Sequence, residues 1–220
     1  MLLTVTDPSE WGPSLDAAVA AVGAGRIVVL PTDTVYGVGC DAFDPKAVAA
    51  VLAAKGRGRQ MPPPVLIPSV ATVAGLARDL PPSAQALMDQ LWPGPLTVIC
   101  HAQPSLAWDL GDTHGTVALR VPDHAAALAL LARTGPMAVT SANRTGQPAA
   151  TTAAAARDQL GDSVHVYLDG GDSPLGEPST IVDATGPLLR IVRAGGVSRE
   201  RIAEIAGPDA LAPAEEADGQ

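Results

Sequence analysis

RIVVLPTDTVYGVGCDAFDP, residues 26–45, is the stretch that decides the architecture. Of its first five residues Ile27, Val28, Val29 and Leu30 are apolar and largely β-branched, and the run reads as a short buried strand. At the far end Asp44 stands before Pro45, a cap followed by a first-turn proline. That pair opens a helix running to about Lys55 and stopping at Gly56. Between strand and helix lies a polar segment, residues 31–45, in which PTDT supplies two hydroxyls and a carboxylate and two glycines follow. Such a backbone can approach a ligand closely at a strand end. A strand, a polar turn and a helix in succession predict an α/β chain.

The same alternation continues on both sides. Upstream, residues 14–24 read as a helix with Ser14 as cap and Leu15, Ala18, Val19 and Val22 on one face. Downstream, residues 96–100, 116–120, 137–140, 164–168, 179–183 and 188–192 read as strands. Helices are expected at 69–78, 82–91, 123–133, 152–160 and 198–206. Two of these, 69–78 and 82–91, are consecutive, so the chain is not a regular βαβ repeat. A twisted mixed sheet with helices packed on it fits better than a doubly wound parallel one. Residues 1–206 are expected to form one domain. Residues 207–220 are Pro-, Ala- and acid-rich without periodicity and are expected to be a disordered acidic tail.

Across 220 residues, 47% are hydrophobic and only 3% aromatic, enough for a core built from Ala, Val and Leu. That excludes a disordered chain. No apolar run reaches the ~18–20 residues that span a bilayer. The opening MLLTVTDPSEW lacks a basic n-region, so the reading is a soluble cytoplasmic protein without a membrane partner. Net charge is −9, from 23 acids against 14 bases. A protein held to nucleic acid mainly through phosphates carries the opposite sign, so any polyanion here must meet a local basic pocket.

Several common sites are excluded. There is no GxxxxGK[ST], no third glycine after Gly37 and Gly39 for a dinucleotide fingerprint, and no GxSxG elbow. His101, His114, His124 and His165 lack metal-ligand spacing, and no metal site made by the protein is expected. Cys40 and Cys100 read as small buried hydrophobes, and Trp92 as a packing anchor.

What remains is a series of polar segments at the ends of apolar elements. KGRGRQMPPP, residues 55–64, is the densest basic cluster, with Lys55, Arg57 and Arg59 in five positions. A helix C-terminus explains one cation, not three. Lysine as a point charge and arginine as a planar fork suit a polyphosphate. TSANRTGQPA, residues 140–149, places Ser141 and Asn143 at a strand end, where α/β sheets contact ligands. GEPSTIVD, residues 176–183, carries the adjacent hydroxyls Ser179 and Thr180, and Arg193 leaves a strand in IVRAGGV, residues 191–197.

Taken in order, PTDTVYGVGCDAFD, KGR, LWPGPLTVI, TVALRVPDH, TSANRTGQPA, DGGDSPLGEPSTIVD and IVRAGGV resemble the YrdC/Sua5 family, over roughly residues 25–197. The resemblance implies a YrdC-like twisted mixed sheet with flanking helices enclosing a concave, positively lined cavity. It implies ATP-dependent condensation of L-threonine and bicarbonate into L-threonylcarbamoyl-AMP with release of pyrophosphate, the first step of the t6A modification of tRNA. Mg²⁺ would enter mainly through ATP. The product would pass to a tRNA threonylcarbamoyltransferase complex, and any tRNA binding by this chain itself would be weak.

By the same resemblance Lys55 and Arg57 match the basic KxR pair at the ATP phosphates and the reacting carbamate. Thr116, Ser141, Asn143 and Arg193 would surround the nucleotide together with Arg57. Thr34 would hold the threonine, Arg120 would clamp its carboxylate, and Thr180 would sit beside Ser179 at the amino-acid end. Two positions depart from the family pattern: Met61 and Leu66 stand where the family often has Asn and His. The alternative reading is a non-catalytic RNA-binding or ribosome-maturation module of the same fold, against which the acidic balance weighs. A second, carbamoyl-phosphate-handling domains of hydrogenase cofactor maturation, is disfavoured because those lie in much larger chains.

Overall fold

The structure is a computed structural model that describes residues 1–213. In chain order the elements are β1 (Leu2–Thr4), α1 (Gly12–Gly23), β2 (Val28–Leu30), β3 (Gly37–Asp41) and α2 (Pro45–Lys55). They continue as β4 (Val65–Leu66), α3 (Val73–Leu76), β5 (Ala77–Arg78), α4 (Pro82–Leu91), β6 (Leu96–Ala102), β7 (Thr116–Arg120), α5 (Ala125–Thr134) and β8 (Met137–Ser141). The last are α6 (Ala153–Leu160), β9 (Val166–Asp169), β10 (Thr180–Asp183), β11 (Arg190–Arg193) and α7 (Arg199–Ala206).

The strands form one mixed sheet in the order β1-β9-β2-β3-β8-β4-β7-β6-β10-β11, with β5 paired to β6 off this path. Parallel pairs (β1 with β9, β2 with β9, β4 with β7, β6 with β10) are interspersed with antiparallel ones. The expected mixed sheet with packed helices is thus what the chain builds.

Local signals behave as their chemistry dictates. The Asp44 carboxylate caps α2 by accepting from the N–H groups of Lys46 (2.9 Å) and Ala47 (3.1 Å), and Gly56 ends the helix in the left-handed region at φ 64°. Thr152 and Ser198 cap α6 and α7 in the same way. Trp92 is buried and donates its indole N–H to the carbonyl of Leu96 at 2.7 Å, so it is the packing anchor expected. Both cysteines are free and buried, and burial pushes both thiols up, which leaves them unreactive.

Three expectations are corrected. Residues 69–78 are not one helix: a 3-10 turn (Val70–Thr72) and the short α3 lead into β5, which pairs Ala77 with Ala102 and Arg78 with His101. Asp79 at φ 54° and the prolines at 81 and 82 stop helical continuation, and the β6 edge satisfies the backbone instead. Residues 31–45 are not all loop, because β3 runs through both glycines between β2 and β8. A Cβ on Gly37 or Gly39 would lie 2.5 Å from a methyl of Val139, so these glycines admit a packed neighbour strand. Finally, residues 207–213, which fall within the expected tail, are held in the fold. Residues 208–210 form a turn, Leu211 is buried, and Leu189 exchanges backbone hydrogen bonds with Ala210 and Ala212 (2.8 Å each). The remainder of the predicted tail lies outside the described residues.

Two cores cover the sheet. Helices α1 and α5, through Leu15, Ala18, Leu130 and Leu131, pack on Val28, Leu30, Met137 and Leu168. A larger core gathers α2, α4, α6 and α7. Period-two alternation then separates two faces at β6, β7 and β10. Leu96, Val98, Cys100, Leu119 and Val182 enter the core with Leu87, Met88 and Ile202, whereas Thr97, Ile99, Thr116, Ala118, Arg120 and Ile181 line a cavity.

Candidate active site

That cavity has a volume of about 460 Å³, within the ~300–1,000 Å³ of small-molecule sites. Three arginines, Arg57, Arg120 and Arg193, line it, and among the described residues no Asp or Glu does. Thr34, Thr116, Ser141, Asn143 and Ser179 line it too, so eight of the ten predicted site residues converge on one hollow. No apolar floor is lacking: Leu66, Ile99, Leu110, Val139 and Ile181 supply it.

At one end the guanidinium of Arg120 is buried, with each of its three nitrogens making one hydrogen bond. Its Nε donates to the Gly94 carbonyl (3.0 Å), Nη1 to the Thr34 hydroxyl (2.8 Å) and Nη2 to Asp33 Oδ1 (2.5 Å). Burial lowers its pKa and Arg193 adds to this, while Asp33 opposes both. Asp33 Oδ1 also accepts the N–H of Asp123 at 3.0 Å, which ties the end of β7 to the turn after β2. Next to this pair, Tyr36 donates its hydroxyl to the Gly171 carbonyl (2.5 Å) and accepts the Gly170 N–H (3.0 Å), holding the chain that leads to Ser179.

At the other end, Arg57 Nη1 donates to Thr140 Oγ1 at 3.0 Å, and its Nε is buried without a partner. Between the two ends, Arg193 donates to the Ser179 carbonyl (3.1 and 2.7 Å) and hydroxyl (3.0 Å), and the latter lies 2.8 Å from Thr97 Oγ1. Among the described residues neither Arg57 nor Arg193 has a carboxylate partner. Burial lowers both pKa values, and Arg57 further lowers that of Arg193. Desolvated cations without counter-ions are costly unless an anion completes them. The site is electrostatically arranged to receive one.

Two predicted residues sit elsewhere. Lys55 is buried behind the cavity wall. Its ammonium donates to the carbonyls of Ser141 (2.5 Å) and Asn143 (2.7 Å) and to Asn143 Oδ1 (3.0 Å). Burial, then Arg57, pushes its pKa down to about 8. Lys55 therefore organises the turn after β8 from beneath, and the side-chain amide of Asn143 completes that turn by donating to Arg144 and Gln147 carbonyls (3.0 and 2.7 Å). Thr180 is fully buried, with its hydroxyl donating to Val197 O (2.7 Å) and accepting from Val197 N (2.9 Å). One residue from Ser179 along a strand means the opposite face of the sheet, so Thr180 braces the chain after β11 and does not enter the cavity.

Arg59 also stands apart, exposed and paired with Asp109 (2.8 Å) and Asp112 (3.6 Å), so the local acids account for this third cation. Met61 is exposed, and Leu66 contributes an apolar wall. Thr32, Tyr36, Thr97 and Thr140 line the cavity without having been singled out as ligand-binding residues. Their signal was present as polar residues facing one side of apolar strands, Thr97 on β6 and Thr140 on β8, but the partner face was not assignable. Among the described residues no group of three or more His, Cys, Asp or Glu could hold a metal ion, and no helix is long and apolar enough to cross a membrane.

The comparisons with known proteins agree with this geometry. The Sua5/YciO/YrdC family model, described as telomere recombination, matches residues 20–195. A Mycobacterium tuberculosis protein provisionally named threonylcarbamoyl-AMP synthase is 54% identical over 93% of this chain and 94% of its own. The Bacillus subtilis threonylcarbamoyl-AMP synthase is 36% identical over 93% of this chain and 60% of its own length. The crystal structure of P. abyssi Sua5 complexed with L-threonine superposes with a TM-score of 0.89 at 32% identity, covering 94% of this chain and 61% of that one. This chain thus spans only about three-fifths of those two longer proteins. A mixed sheet of this order, a cavity cationic on an acidic body, and these matches lead to one conclusion: the chain belongs to the Sua5/YciO/YrdC family.

Proposed function

We propose that this chain is a threonylcarbamoyl-AMP synthase, joining L-threonine, bicarbonate and ATP and releasing pyrophosphate. The observation that carries the reading is the cavity lined by Arg57, Arg120 and Arg193, with no carboxylate of the described residues among its walls. Such a site suits a small substrate bearing several negative charges.

The chemistry asks little of a dedicated acid–base pair. The threonine amine and bicarbonate condense to a carbamate with loss of water. A carbamate oxygen then attacks the α-phosphorus of ATP as the bond to the bridging oxygen breaks, and pyrophosphate leaves with that oxygen. The nucleophile is already anionic, so the protein's work is to position reactants and neutralise charge. Arg57 and Arg193, without carboxylate partners among the described residues, are the residues for the phosphates; Thr116, Ser141 and Asn143 line the same cavity as neutral donors or as its frame. Lys55 acts through the turn it holds and through its charge. Arg120 has five N–H donors of which three are engaged, which leaves two for an amino-acid carboxylate beside Thr34 and Ser179. Mg²⁺ fits this donor set as an ion carried by phosphate oxygens, since it keeps waters and takes few protein ligands.

On this reading the protein works in the cytoplasm and supplies its adenylate to a tRNA threonylcarbamoyltransferase complex. The test is pyrophosphate release with each substrate omitted in turn, with mass detection of the adenylate. Release that requires all three substrates supports the proposal, and release without threonine or bicarbonate refutes it. A gel shift with tRNA distinguishes the RNA-module reading, because phosphate-held RNA loses affinity steeply with salt.

A further inference from the structure

The hydroxyls of PTDT form a chain whose direction can be assigned atom by atom. Thr32 Oγ1 lies 2.6 Å from the Val35 carbonyl, which can only accept, so the one proton of Thr32 points there. Its two lone pairs then take the Thr34 N–H at 3.2 Å and the Thr34 hydroxyl at 3.0 Å. In that hydroxyl pair Thr34 must therefore be the donor. Thr34 Oγ1 in turn accepts from Arg120 Nη1 at 2.8 Å. Its proton is committed inward, and one lone pair remains at the cavity wall beside two unengaged guanidinium N–H groups.

We infer that Thr32 is a positioning residue that sets the hydrogen-bond polarity of Thr34, so that this end of the cavity reads a carboxylate beside an N–H donor. The inference rests on the function proposed above. An α-amino acid carries that pair of groups one bond apart from a shared carbon, with its carboxylate on Arg120 and an amine N–H on Thr34. If the direction of the chain were reversed, Thr34 would present a proton to the amine, and recognition would be lost with no change of shape. Thr32 thus acts on the substrate through Thr34, without needing to touch it.

Titration calorimetry with L-threonine and with 3-hydroxybutanoate, the same skeleton without the amine, tests this on the native protein. Native protein should bind L-threonine at least ~10-fold more tightly, the usual worth of one buried hydrogen bond. Thr32→Val keeps the shape and removes the acceptor. It should raise the KM for L-threonine about tenfold, leave the KM for ATP within about twofold, and shrink the discrimination against 3-hydroxybutanoate, whereas Thr32→Ser should restore all three. Equal binding of the two ligands by native protein overturns the inference even if Thr32→Val fails to fold. So does a Thr32→Val enzyme with unchanged discrimination, or one in which both KM values rise alike, which marks a merely structural role. Native protein that binds no L-threonine overturns the functional reading and this inference together; native binding with an indifferent Thr32→Val overturns the inference alone.

Discussion

Replacing Asp33 by asparagine removes the negative charge paired with the buried Arg120 guanidinium while keeping the side chain's shape. The two side chains are 9% and 7% exposed, and the contact is 2.5 Å. Breaking a buried ion pair from one side typically costs ~3–5 kcal/mol, because the surviving charge remains desolvated. An asparagine oxygen still accepts from Arg120 and Asp123, so we expect the lower end, about 3 kcal/mol. Arg193 nearby makes the orphaned charge costlier, because it repels Arg120 once Asp33 no longer offsets it. For a chain of this length each kcal/mol shifts Tm by roughly 2–4 °C, which predicts a fall of about 6–12 °C. Urea unfolding and calorimetry of Asp33→Asn, Arg120→Met and the double variant form the assay, with an unchanged m-value showing that stability alone has moved. The double variant should lose less than the two singles added together, since two charges vanish with their desolvation. A loss below ~1 kcal/mol in Asp33→Asn, or strict additivity, would show the pair to be solvated in solution and refute the reasoning.

Arg57→Ala should lower turnover at least ~10-fold, about 1.4 kcal/mol of transition-state stabilisation, and unchanged pyrophosphate release would remove Arg57 from the mechanism. Lys55 titrates near 8 in the fold against 10.5 for a free lysine, so between those values the unfolded chain binds more protons. Its contribution to stability therefore rises with pH across that window, whereas the ammonium charge that favours anions is lost. Relative to Lys55→Met, native protein should gain in urea midpoint and lose ATP affinity from pH 7.5 to about 9.5; parallel profiles for the two proteins would contradict this. Thr180→Val strands the N–H and carbonyl of Val197 and should cost about 2 kcal/mol while leaving the threonine KM of the folded enzyme unchanged; a raised KM would return Thr180 to the binding site.

Helix α2 shows how far local chemistry reaches. Asp44, Pro45 and Gly56 bound it by interactions spanning a few residues, and the structure places its ends where they stand in the chain. Helix α4 and strand β7 were equally legible, the first from its proline start and the second from alternating apolar residues. The cationic character of the site was legible as well, because 14 bases in an acidic chain leave KGR conspicuous. The short strands β1, β3 and β4 were not, since the chain between 31 and 45 reads as loop until β8 supplies a partner. Thr180 and Lys55 lie outside the cavity for reasons a motif does not carry: the sheet decides the face on which Thr180 emerges, and the turn after β8 covers Lys55 at the end of α2.

From the amino-acid sequence alone came the alternation of elements, the helix limits written by caps and prolines, and the motif series that marks the family. Tertiary structure decided which cations remain without acids. Arg59 found Asp109, Arg120 found Asp33 from 87 residues away, and Arg57 and Arg193 found no carboxylate among the described residues. Helix and turn signals act through neighbours in the chain, so they can be read in order. Charge pairing, burial and the face a side chain takes depend on strands that meet from distant segments, and those follow only once the sheet has closed around the cavity.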